Sequence, residues 1–138
     1  MPAMHSKVTL NDAMHFTGEL DGHMISIDAD AAVGGQDLGP RPKGLVLTAL
    51  AGCTAMDVLS ILRKMRLEPK SLRVEAAAEI SDEHPKTFTR IKLTYHLRGD
   101  LPREKVEKAV DLSQDRYCGV SAMLKQVAPI DWEIELEP

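Results

Sequence analysis

The stretch Gly44–Met56, GLVLTALAGCTAM, carries no charge on any face. It runs for 13 residues, short of the ~20 a membrane span needs. The following DVLSILRKMR, Asp57–Arg66, regains an amphipathic pattern, with Val58, Leu59, Leu62 and Met65 on one stripe. Arg63, Lys64 and Arg66 fall at its C-terminal end, where the helix dipole favours cations. Together the two segments predict a helix from about Lys43 to Arg66. A helix that is apolar all round is buried, and one 138-residue domain has little room to surround it. The pattern therefore points to a second copy of the chain. Two such helices packed between two sheets would form an obligate homodimer with a large apolar interface. Ala49, Ala51, Gly52 and Ala55 permit close approach. The alternative is a monomer with an unusually central helix.

Working outward, Val8 and Leu10, then Phe16, Gly18 and Leu20, then Ile25 and Ile27 alternate with mostly polar neighbours. Turn signals at Asn11-Asp12 and Asp21-Gly22 separate them, which predicts a three-stranded antiparallel meander. Residues Gly34–Pro42 form an irregular Gly- and Pro-rich connection. After the long helix, Leu72, Val74, Ala76, Ala78 and Ile80 alternate with an outer row rich in acids. Ile91, Leu93, Tyr95 and Leu97 alternate with an outer row rich in bases, and the two rows can pair across neighbouring strands. Asp100 with Pro102 marks a helix start, with Val106, Ala109 and Val110 inward. A short helix from about Cys118 to Gln126 would turn Val120, Met123, Leu124 and Val127 inward. Ile130, Trp132, Ile134 and Leu136 alternate with acids as a last strand. The order β-β-β-α-β-β-α-α-β is that of a single α+β domain over residues 1–138.

Composition bounds the function. The chain is 43% apolar and 28% charged, ordinary values for a globular protein. A net charge of −4 gives a nucleic-acid role no electrostatic support. Met1–Leu10 has no long apolar run, so no secretory signal or membrane role is expected and the chain reads as cytoplasmic. Five histidines and two cysteines show neither Cys-x-x-Cys nor His-x-x-x-His, so metal-ligand spacing is absent and no metal or other cofactor is expected. His84-Pro85 reads as part of a hairpin connection. No dinucleotide-binding or Ser-His-Asp signature occurs.

The two cysteines carry the functional question. In a reducing compartment they are either inert packing residues or redox chemistry. Cys118 opens a helix, where the partial positive charge favours thiolate. Cys53 sits mid-helix in an apolar setting, and burial there disfavours the thiolate. Asp57 lies one turn beyond Cys53 on the same face, and its negative charge also disfavours a thiolate. The nearest cations in sequence are Arg41 and Lys43.

Three segments extend the reading: LTALAGCTAMDVLSILRKMR (Leu47–Arg66), DEHPKTFTRIKLTYHLRG (Asp82–Gly99) and DRYCGVSAML (Asp115–Leu124). Their order and spacing resemble the OsmC/Ohr superfamily, nearest to its YhfA-like branch. The resemblance implies an intertwined α+β homodimer with two central buried helices flanked by antiparallel sheets. It also implies an antioxidant role in the oxidative stress response. Cys53 matches the family's peroxidatic cysteine and Cys118 its resolving cysteine. The implied activity is reduction of organic hydroperoxides through a Cys53 sulfenic acid, with a dithiol as the reductant. Leu50, Met56, Tyr117 and Met123 are candidate pocket residues, though the reading of each as core is the favoured one. One departure stands out: the family's glutamate ten residues before the peroxidatic cysteine, which positions an arginine, is Lys43 here. Arg41 or Lys43 is then the candidate thiolate stabiliser. The competing reading is a non-enzymatic dimeric module of the same fold that binds a small apolar ligand or a partner.

Overall fold

A computed structural model describes residues 2–138. The chain forms two compact units divided between Val46 and Leu47.

In the first unit, β1 (Lys7–Asp12), β2 (His15–Leu20) and β3 (His23–Ile27) form the expected antiparallel meander. Asp21 and Gly22 both adopt left-handed φ, 53° and 79°, as a two-residue hairpin turn demands. The β1–β2 turn differs from expectation. It falls at Ala13-Met14, with Ala13 at φ 51°, while Asp12 still pairs with His15. Asn11 is kept in the strand because its Nδ2 donates across the hairpin to Thr17 Oγ1 at 2.7 Å. Val8 and Leu10 each remain 55% exposed.

The Gly/Pro-rich loop that follows is organised by Asp28. Its buried carboxylate accepts from the backbone N–H groups of Ala29, Gln36 and Leu38 at 2.7, 3.1 and 3.1 Å. Burial pushes its pKa up, but these donors and the charge of His15 outweigh burial and leave it lowered. The loop folds back so tightly that a Cβ on Gly35 would meet Ala29 O at 1.7 Å.

In the second unit, β4 (Ser71–Ile80), β5 (Phe88–Arg98) and β6 (Ile130–Glu137) make a sheet with β5 in the middle. β4 pairs antiparallel with β5, but β6 pairs parallel with β5, so this sheet is mixed rather than antiparallel as expected. The parallel strand needs a crossover, which α2 (Arg103–Leu112) and α3 (Gly119–Leu124) supply. It also changes the charge pairing. The basic row of β5 is answered mainly by the acids of β6: Arg90 by Asp131 at 2.8 Å, Lys92 by Glu133 at 3.1 Å, and His96 by Glu135 at 3.0 Å.

The long helix α1 spans Pro42–Lys64, two residues short of the expected end. Arg66 turns left-handed at φ 63° and Leu67 N–H reaches back to Leu62 O at 2.9 Å, closing the helix. Leu50, Thr54, Val58 and Leu62 are buried, every fourth residue along one stripe. This stripe shares a core with Ile91, Leu93, Tyr95 and Leu97 of β5 and with Val106, Ala109 and Val110 of α2. Within one chain the helix is therefore not buried all round: Met56, on another face, is 74% exposed. Length and composition alone would let α1 cross a membrane, but its buried stripe belongs to this core. In the crossover, α2 begins at Arg103 after Pro102, and Asp100 does not cap it. Val120 and Leu124 of the short helix pack against the core, whereas Met123 and Val127 are 66% and 67% exposed. α3 itself ends at Leu124, two residues short of the expected end.

Candidate dithiol site

α1 presents Cys53, Thr54 and Asp57 within a single turn. The crossover brings Cys118 to them. Between α2 and α3, residues Ser113–Tyr117 form a wide π-helical turn, closed by Cys118 N–H donating to Ser113 O at 2.7 Å. Such turns widen a helix locally and re-aim its side chains. Here Ser113 and Gln114 turn inward and are buried, while Asp115, Arg116 and Tyr117 face out.

The sulfurs of Cys53 and Cys118 and a carboxylate oxygen of Asp57 lie within 4.8 Å of one another. Both cysteines are free thiols; Cys53 is half-buried and Cys118 is 2% exposed. Cys118 caps the N-terminus of α3, its Sγ accepting from Ser121 N–H at 3.3 Å. That donor lowers its pKa, as a helix start should. Burial is the larger effect, and with Cys53 and Asp57 nearby the thiol is pushed up to about 11. The expected thiolate at this helix start is thus overturned: six residues of helix do not outweigh desolvation. Asp57, expected to act on Cys53, is one of the charges that raise Cys118.

A buried polar network backs the site. Ser113 Oγ donates to Asp57 Oδ2 at 2.9 Å. With its single proton committed there, Ser113 accepts from Thr54 Oγ1 at 2.8 Å, and Thr54 in turn accepts from Tyr95 OH at 2.7 Å. Gln114 Nε2 donates to both Thr54 Oγ1 and Tyr95 OH at 3.1 Å, and its Oε1 accepts from Ser121 Oγ at 2.7 Å. The hydroxyl protons of Tyr95, Thr54 and Ser113 point one way, from β5 toward Asp57. Burial pushes the Tyr95 phenol up to about 12. Trp132 stands edge-on to its ring, at 6.3 Å between centroids. Sequence reading missed Thr54, Tyr95, Ser113, Gln114 and Ser121. The available signal was Thr54, a hydroxyl exactly midway between Leu50 and Val58 on the apolar stripe.

The other candidates fall elsewhere. Leu50 is in the core, while Tyr117 and Met123 are exposed, with Arg116 stacked over the Tyr117 ring at 5.6 Å. Met56 lines a shallow depression of about 420 Å³ with Leu59, Ser60, Arg63 and Lys64. Arg41 and Lys43 belong to the first unit. There Arg41 Nη1 donates to Asp37 and to Gly39 O, both at 2.8 Å, while Lys43 is exposed in the first turn of α1.

Known proteins share this arrangement of elements. The chain is 36% identical over 135 residues to protein YhfA of Escherichia coli K12, covering 96% of this chain and 98% of that one. A hypothetical protein from Aquifex aeolicus VF5 superposes with TM-score 0.85 at 28% identity, over 100% of both chains. The organic hydroperoxide resistance protein OhrB of Bacillus subtilis shares the fold, with TM-score 0.70 at 19% identity over 96% of this chain and 98% of that one. The family described as OsmC-like protein matches residues 34–133, which include every residue of the dithiol site, and the chain belongs to that family.

Proposed function

We propose that the chain is a thiol-dependent peroxidase for organic hydroperoxides. The observation that carries this reading is the pair of free sulfurs within 4.8 Å, one half-buried and the other enclosed. Cys53, the more accessible, attacks the outer oxygen of the hydroperoxide as thiolate. The O–O bond breaks, an alcohol leaves after protonation, and Cys53 becomes a sulfenic acid. Cys118, kept as a thiol by burial, then attacks that sulfur. The new S–S bond releases the sulfenic oxygen as water, with the Cys118 proton. An external dithiol restores both thiols and is itself oxidised to a disulfide. Fold likeness to proteins named for organic hydroperoxide resistance supports the substrate class. A packed, non-enzymatic cysteine pair would not need Cys53 left partly exposed.

The same reading includes a cytoplasmic homodimer. Its support is the apolar surface that one chain leaves uncovered, Val8 and Leu10 on β1 and Met56 on α1. The decisive test is thiol titration before and after one equivalent of cumene hydroperoxide. Two thiols should become none, and Cys53→Ser should abolish the loss. Retention of both thiols in the wild-type chain would overturn the proposal.

A further inference from the structure

The site also holds a donor, the Asp57 carboxylate, that the peroxide chemistry does not use, beside the two sulfurs that it does. Two sulfurs and a carboxylate oxygen converge within 4.8 Å. Zinc takes thiolate sulfur at about 2.3 Å and carboxylate oxygen at about 2.0–2.2 Å, so its tetrahedral edges are roughly 3.5–4 Å. The three donors thus need adjustments of about an ångström to close on one ion. Two of them already have the outer partners that orient metal ligands. Ser113 Oγ holds Asp57 Oδ2 at 2.9 Å, and Ser121 N–H is directed at Cys118 Sγ at 3.3 Å. All three converging groups, two thiols and a carboxyl, are potential anions. A divalent cation is the species that reverses such mutual repulsion.

We propose that the reduced chain binds one Zn²⁺ ion through Cys53 Sγ, Cys118 Sγ and the Asp57 carboxylate, with a fourth position left for water or a small ligand. Each sulfur binds as thiolate, so whatever proton each thiol carries is released to solvent on binding. Metal and disulfide exclude each other, because an S–S bond takes both sulfur ligands. Diamide makes this explicit. It accepts two electrons and two protons to become a hydrazine, the sulfurs join, and Zn²⁺ leaves with its charge unchanged.

The test uses the full chain, reduced and then freed of metal and reductant. Titration with Co²⁺ should give thiolate-to-cobalt charge-transfer absorption that saturates at one ion per chain and is displaced by Zn²⁺. Cys53→Ser should remove that absorption, and Asp57→Asn should weaken binding at least tenfold. Diamide should release bound Zn²⁺ to a chromophoric chelator. Absence of the charge-transfer band in the wild-type chain, or a band and affinity unchanged in both variants, would overturn the proposal. X-ray absorption of the zinc-loaded wild-type chain needs no variant: two sulfur neighbours are expected, and none would refute it. No hydroperoxide is present in these measurements, so their outcome is separate from that of the peroxidase reading.

Discussion

The buried hydroxyl of Thr54 joins Tyr95 OH, 2.7 Å away on β5, to the carboxylate side of the dithiol site through Ser113. A single polar residue on the apolar stripe of α1 therefore ties the sheet to the helix that carries Cys53.

Thr54→Val keeps the shape and removes this hub. Tyr95, Ser113 and Gln114 each lose one hydrogen bond in a buried setting and keep another, at a cost of about 0.5–1.5 kcal/mol per bond. Urea denaturation should show a loss in that range or above.

Stability should fall at alkaline pH. The Tyr95 phenol is raised from 10.0 to about 12 and the Cys118 thiol from 9.0 to about 11. Both groups bind their protons more tightly when folded. Their contribution is complete below pH 9 and is lost as pH rises through about 11 for Cys118 and about 12 for Tyr95. For Tyr95 this amounts to ~3 kcal/mol between pH 10 and 12. Denaturation at stepped pH should show the decline, and Tyr95→Phe should flatten its upper part.

Removing the charge of Asp57 should lower the pKa of Cys118, since Asp57 is one of the causes raising it. In an Asp57→Asn chain, the pH profile for alkylation of Cys118, followed by mass spectrometry, should shift to lower pH than in wild type. An unshifted profile would mean that burial alone sets this thiol.

At acid pH the sensitive group is Asp28. Its pKa is lowered in the folded loop, so its contribution is present above about pH 4 and lost as pH falls through the folded value. Asp28→Asn should remove that acid dependence. It should also speed amide exchange at Ala29, Gln36 and Leu38, whose N–H groups the carboxylate holds.

The dimer reading is tested on the uncovered face of α1. Met56→Asp places a charge on a side chain that is 74% exposed in one chain. Sedimentation should show a folded monomer in place of a dimer. Leu50→Ala, in the core of the same helix, should instead destabilise the fold by about 2–5 kcal/mol.

Much of the fold was legible because short-range physics writes it into the chain. Alternation marked all six strands, Asp21-Gly22 marked its turn, and the uncharged run marked α1. Apolar periodicity does not carry pairing direction, so β6 was not seen to run parallel to β5. Nor does it reveal the extent of burial, and α1 proved buried along one stripe of the single chain. The cysteines were recognisable as the residues to watch, from their scarcity and from the segments around them. Their meeting with Asp57 was not recognisable. Metal-ligand spacing rules look for donors close in sequence, whereas here one turn of α1 meets a capping residue from the far side of a crossover. The amino-acid sequence by itself determined the elements and the identity of the two thiols. Only the tertiary structure decided which thiol is accessible, which is held protonated, and which buried hydroxyls point at the carboxylate. Those properties arise from desolvation and from hydrogen-bond geometry between groups that the chain order keeps apart.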